Sequence, residues 1–191
     1  MDFLSEIKQF DTAALLWIQS FHTPVLDVLM KLVSGKLIWT PLYLVLMVML
    51  WRKYQRHFWI PLLAVLLAVV TSDIIASWIF KPLVKRFRPS HEPTLVEYVR
   101  VLNNNRGGTY GFFSSHASTT FAIAVFFVCA YRKSKPIYLL LFWALMVSLS
   151  RVYLGLHYPG DILSGIFCGT LVGILFFFFS RHYVEKYKES I

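Results

Sequence analysis

Apolar residues in this chain come in long blocks. The stretches 58–72, 117–131, 136–150 and 162–180 carry no charged side chain. A helix crossing a bilayer needs about 20 mostly apolar residues. The segments 58–80, 113–131, 136–156 and 158–180 meet that length. A fifth segment, 24–51, has an apolar second half but carries Asp27, Lys31 and Lys36 before it. It fits one long helix, or a short entry helix followed by a span. The first stretch, 3–21, mixes Glu6, Lys8 and Asp11 with Leu4, Ile7, Phe10, Ala14, Trp17 and Ile18. That spacing makes a single apolar stripe, which predicts an amphipathic helix lying on the membrane surface. The stretch lacks the basic start and small-residue cleavage site of a signal peptide. The pattern therefore predicts an all-α integral membrane helical bundle with about five transmembrane helices. One domain is expected over 1–191, with an interfacial helix at 1–22, the bundle at 24–180 and a long loop at 81–115.

Composition sharpens this picture. Of 191 residues, 57% are hydrophobic and only 15% charged, whereas soluble domains run near half and a quarter. A disordered chain, a collagen-like chain and a secreted disulfide scaffold are excluded. Cys129 and Cys168 both lie in apolar runs and read as small buried hydrophobes. The net charge of +9 has a topological origin. Arg52, Lys53 and Arg56, then Arg132, Lys133 and Lys135, then Arg181, Lys186 and Lys188 flank the spans. Alternating spans bring all three groups to one side, and the positive-inside rule makes that side cytoplasmic. Because these cations sit at membrane boundaries, no nucleic-acid partner is expected. The loop 81–115 on the opposite side holds six more basic residues, which charge topology leaves unexplained and an anionic substrate would explain.

Polar groups inside lipid are costly, and they usually pair or line a site. Here they gather at one membrane face. Lys81 and Arg88 flank the end of one span, Ser114, Ser115 and His116 open the next, and Arg151, His157 and Asp161 straddle the junction of the last two. Arginine forks and a lysine suit phosphate oxygens. Ser114 and Ser115 fit a helix N-cap, where free N–H groups and the dipole attract an anion. Pro159 fits a first helical turn, so Asp161 falls one turn beyond His157. From there it can orient one ring nitrogen and leave the other as a nucleophile. Asp73, Ser77 and Lys81 share a helix face; electrostatic support of Lys81 and a plain packing hydrogen bond both fit. Arg100 and Arg106 lie in the long loop, read mostly as solvated.

The run Lys81-x6-Arg88-Pro89, then Ser114-Ser115-His116, then Ser150-Arg151-x5-His157-x3-Asp161 resembles the three-part signature of the type 2 phosphatidic acid phosphatase superfamily. The second part departs from that family's usual Pro-Ser-Gly-His, having Phe113-Ser114-Ser115-His116. The resemblance implies a membrane phosphatase whose active-site loop is 81–115. His157, His116 and Asp161 would be catalytic: His157 forms a phosphohistidine, Asp161 orients it, and His116 protonates the leaving oxygen and then activates water. Lys81, Arg88, Ser114, Ser115 and Arg151 would bind the substrate phosphate. No metal and no other cofactor is expected. The partners are the bilayer and a phosphorylated lipid, with undecaprenyl pyrophosphate or lipid A phosphate favoured and phosphatidylglycerophosphate or phosphatidic acid as alternatives. A lipid-dependent phosphotransferase and a non-enzymatic lipid or anion carrier are the rivals from other classes. The expected location is the bacterial inner membrane, multi-pass, with the site facing the periplasm.

Overall fold

The computed structural model describes residues 3–189, and among them the fold is all-α. Helix α1 is Phe3–Ser20 and α2 is Pro24–Ser34. Thr23 caps α2 by accepting from the Leu26 amide at 3.2 Å, and Pro24 supplies the preset first turn. The two helices turn on each other by 118°. The segment 24–51 resolves into two helices: α2 stops at Gly35, a 3₁₀ turn follows at Leu37–Trp39, and α3 is Thr40–Tyr54. Helix α4, Trp59–Ile74, continues through a π-helical stretch, Ile75–Phe80, into the short α5, Lys81–Val84. The chain then leaves the helix because Lys85 takes a left-handed conformation (φ 50°). The loop that follows is built from 3₁₀ turns at Pro89–His91 and Leu102–Asn104. It is pinned by a bridge between Phe87 and Tyr110. Helices α6, Ser115–Ala130, α7, Leu139–Tyr153, and α8, Pro159–Glu189, complete the chain.

Three helical stretches among the described residues are long and apolar enough to cross a membrane: Trp59–Val84, Lys135–Tyr153 and Pro159–Lys188. The last extends past residue 180, so the third basic group is helical rather than a loop. Helix α6 is apolar but only 16 residues long, about 24 Å at the α-helical rise. It is the central helix, with Ala117, Phe121, Ala124, Phe126 and Phe127 all buried. A helix surrounded by protein need not match the bilayer thickness itself.

Helix α8 packs closely on α6 through Gly165, Gly169 and Gly173. A methyl group at Gly165 would lie 2.6 Å from the Ser114 carbonyl, and one at Gly173 2.6 Å from that of Ala122; at Gly169 it would collide with the Ser118 carbonyl. Backbones that approach this closely tolerate only hydrogen at those positions. This contact brings the start of α6 against the start of α8.

The ends of the bundle differ in chemistry. At one end Lys53 donates to the Ala130 carbonyl and lies 4.4 Å over the Tyr131 ring, and the Trp59 and Tyr187 rings meet. The three basic groups of the sequence thus share that end. Helix α1 lies at the other. Its apolar side, with Phe10 and Trp17, is exposed, whereas Asp11, Leu15 and Gln19 are buried against the protein. Gln19 donates to the carbonyls of Arg100 and Tyr153, each at 3.0 Å, tying α1 to the loop and to α7. Arg100 pairs with Asp27 through both guanidinium nitrogens, so it is a bracket between loop and α2 rather than a solvated residue.

Candidate active site

Asp161 is the hub. It is fully buried in the first turn of α8. Oδ2 accepts from the Tyr158 amide at 3.0 Å and faces His157 Nδ1 at 3.6 Å. That separation is an ion-pair contact beyond hydrogen-bond range, and His157 Nδ1 has no hydrogen-bond partner among the described residues. The main-chain carbonyl of Asp161 accepts from the Ser114 amide at 3.1 Å, which joins the second and third parts of the motif. Ser114 is the N-cap of α6, its hydroxyl accepting from the Ala117 amide at 3.4 Å. His116 follows in the first turn, with Ser115 opening the helix.

The cations come from two directions. Arg88 is buried, donating from Nε to the Tyr110 carbonyl at 3.3 Å and from one terminal nitrogen to the Leu156 carbonyl at 3.2 Å. Those bonds fix its fork beside His157. Arg151 donates to the Ser34 hydroxyl, while its Nε is buried without a partner among the described residues. Lys81 donates to the Ser77 hydroxyl at 3.1 Å, and Ser77 to Asp73 at 3.2 Å. Asp73 therefore reaches Lys81 through a hydroxyl, one turn at a time. Burial, then the charges of Arg88, Arg151 and Lys81, hold the His157 imidazole well below its usual pKa. A neutral imidazole among three cations can act as a nucleophile toward a bound anion. His116 and Ser34, the acceptor of Arg151, line one cavity. The structure thus brings Lys81, Arg88, Arg151, His116, His157, Asp161 and Ser114 to one location. Gly111 lines it too: a methyl there would stand 3.1 Å from Arg88 Cγ and 3.2 Å from Asp161 Oδ2.

Ser115 opens α6 beside the cavity that Ser34, the acceptor of Arg151, also lines. With His116 it lines the polar end of that cavity, of about 620 Å³ between α3, α4 and α6. Leu44, Met47, Leu62, Val69 and Ile123 are among its walls, and Lys36 and Asp73 stand at its polar rim. A second hollow of about 270 Å³ is lined by Lys31, Leu102, Asn103, Asn105, Leu154 and Leu156. It shares with the site the residue before His157. Among the described residues no group of three or more His, Cys, Asp or Glu side chains converges as metal ligands would.

Two residues central to this geometry stood out less in the sequence. Arg86 bridges Asp161 and Asp11, at 2.9 Å and 2.6 Å. Its signal was a further cation between Lys81 and Arg88. For Asp11 the signal was a carboxylate set among apolar positions of the first helix, between Leu4 and Ile18 around its circumference.

A helical membrane protein with two histidines, a buried aspartate and three cations at one end of its bundle is equipped for phosphoryl transfer. The chain belongs to the PAP2 superfamily, whose sequence profile matches residues 58–185. It is similar to a lipid A 4'-phosphatase of Bacteroides thetaiotaomicron, 36% identical over all of this chain and 84% of that protein. It is also similar to a lipid A 4'-phosphatase of Porphyromonas gingivalis, 32% identical over 91% of this chain and 72% of that one. The fold matches the crystal structure of a transmembrane PAP2-type phosphatidylglycerolphosphate phosphatase from Bacillus subtilis. The TM-score is 0.70 at 23% identity, covering 95% of this chain and 87% of that one. The protein is a multi-pass membrane phosphatase.

Proposed function

We propose that this enzyme removes the 4'-phosphate of lipid A at the periplasmic face of the bacterial inner membrane, through a phosphohistidine at His157. The observation that carries the lipid reading is the 620 Å³ apolar cavity ending at Ser115 and His116: an acyl chain in that trough leaves its headgroup beside the cations. The hollow lined by Lys31, Asn103 and Asn105 offers an ammonium and two amides to a sugar, which favours a glycolipid over a simple glycerol lipid. The similarity to lipid A 4'-phosphatases over the full chain supports the same choice.

Chemistry follows from the positions of the side chains. With Nδ1 facing Asp161, His157 attacks phosphorus through Nε2. A P–N bond forms and the P–O bond to the sugar breaks. Lys81, Arg88 and Arg151 hold the equatorial oxygens, where transition-state charge collects. A bound phosphate favours the imidazolium form of His116, which gives its proton to the departing oxygen. His116 then takes a proton from water, whose oxygen attacks phosphorus; the P–N bond breaks and inorganic phosphate leaves.

The purified protein, in chelator, should release phosphate from bisphosphorylated lipid A and leave a product lacking the 4' group by mass spectrometry. Undecaprenyl pyrophosphate, phosphatidylglycerophosphate and phosphatidic acid should be poorer substrates. Lys31→Ala with Asn105→Ala should raise KM for lipid A about tenfold and leave phosphatidic acid unchanged, as loss of contacts equal in ground and transition states does. Preferred hydrolysis of undecaprenyl pyrophosphate would overturn the substrate assignment, and dependence on added metal would overturn the mechanism.

A further inference from the structure

Asp11 belongs to the helix that meets the membrane boundary, yet it is only 6% exposed. A carboxylate is buried this way at high cost unless its oxygens are paired. Both are. Oδ2 accepts from Arg86 at 2.6 Å and Oδ1 from the Gly160 amide at 2.7 Å. The other terminal nitrogen of Arg86 donates to Asp161 Oδ1 at 2.9 Å, and the guanidinium lies 4.0 Å over the Tyr158 ring. One planar fork thus spans two carboxylates, one nitrogen to each. Each carboxylate spends its second oxygen at the start of α8, Asp11 on Gly160 and Asp161 on Tyr158.

An arginine facing a single carboxylate tends to grip it with both nitrogens. Were Arg86 free to do so, both Asp161 oxygens would turn toward it, and Oδ2 would leave Tyr158 and His157. Asp11 occupies the second nitrogen and prevents that rotation. We infer that Asp11 is a positioning residue for phosphoryl transfer: through Arg86 it holds Asp161 in the orientation that presents Oδ2 to His157. The inference rests on the reading of His157 as nucleophile. It also gives α1 a task, since the helix whose other side carries the exposed Phe10 and Trp17 fixes the turn that carries the nucleophile.

The test uses the full-length protein and a lipid monophosphate, with Asp11→Asn, Asp11→Glu, Arg86→Lys and the double variant Asp11→Asn/Arg86→Lys. Misorientation of a reacting group lowers kcat, and Asp11→Asn should lose roughly 10–100-fold. KM should stay within about threefold, because the phosphate-holding cations do not touch Asp11. Asp11→Glu, which keeps the charge, should recover part of the rate. Lysine cannot bridge two carboxylates with a fork, so Arg86→Lys should show the same kcat-selective loss and serves if Asp11→Asn does not fold. Residues acting as one unit are non-additive, so the double variant should be no slower than the slower single one. A role confined to anchoring α1 through Gly160 predicts losses that multiply, and that result would overturn the inference, as would wild-type kcat in Arg86→Lys. His157→Ala is measured alongside. Activity in that variant would overturn the site reading itself, whereas an inactive His157→Ala with multiplying losses overturns only the role of Asp11.

Discussion

His116 and His157 lie at the starts of different helices, and the proposed mechanism draws on the difference in their surroundings. His157 is buried among three cations with Asp161 behind it; His116 stands where the cation site meets the apolar cavity. The leaving oxygen of a lipid phosphate must point toward the lipid, hence toward His116. General-acid help is worth about 10²–10⁴-fold and matters most for poor leaving groups. In single-turnover release of the alcohol, His116→Ala should therefore lose far more on a lipid monophosphate, which leaves as a basic alkoxide, than on an activated aryl phosphate. Equal losses on the two would mean that His116 is not the acid. The departure at Ser115 has a local account: its neighbour Ser114 does the capping, and Ser115 lines the cavity.

At the scale of elements, the site depends on two helix starts held in register. Ser114 at the head of α6 donates its amide to Asp161 at the head of α8. The glycine side of α8 sets the distance between them. Adding a methyl group at Gly169 forces the Ser118 backbone to move, whereas one at Gly108 meets nothing within 4 Å. Overpacking a tight contact costs about 1–3 kcal/mol. Gly169→Ala should therefore lower thermal stability in detergent and reduce activity with it, and Gly108→Ala should do neither. Matching effects from the two substitutions would show that the α6–α8 approach is not what holds the site. The π-helical stretch at Ile75–Phe80 ends directly before Lys81. Wider turns of this kind redirect the side chains that follow them.

For the whole molecule the division is between a basic end and a site-bearing end. The Lys53–Ala130 and Trp59–Tyr187 contacts mark the first; the loop after α5 caps the second. The proposed orientation, with the basic end in the cytoplasm, rests on positive-inside bias. Single cysteines at Asn104 and at Lys133, in a background lacking Cys129 and Cys168, test this in intact cells. An impermeant thiol reagent should reach position 104 and not 133, and the reverse pattern would invert the topology.

Much of this was local and therefore legible in the sequence. The Thr23 and Ser114 caps, the prolines at helix starts, the spacing from His157 to Asp161 and the apolar blocks all follow from backbone geometry within a turn or two. The motif carried the proposed catalytic set for the same reason, since each of its parts is a short segment. The break at Gly35 was legible only as one of two readings, because Asp27, Lys31 and Lys36 allow a short entry helix and packing decides whether the chain bends. The partner of Arg86 was not legible, since Asp11 lies 75 residues away and no periodicity relates them. The meaning of Gly165, Gly169 and Gly173 also waited on the fold, which alone shows that a second backbone runs against that side of α8. The sequence determined which segments are apolar helices and which short segments carry the polar motif, because that depends on residue type and helical period. Tertiary structure decided which carboxylate steadies which cation, because an ion pair between distant segments depends on how helices dock.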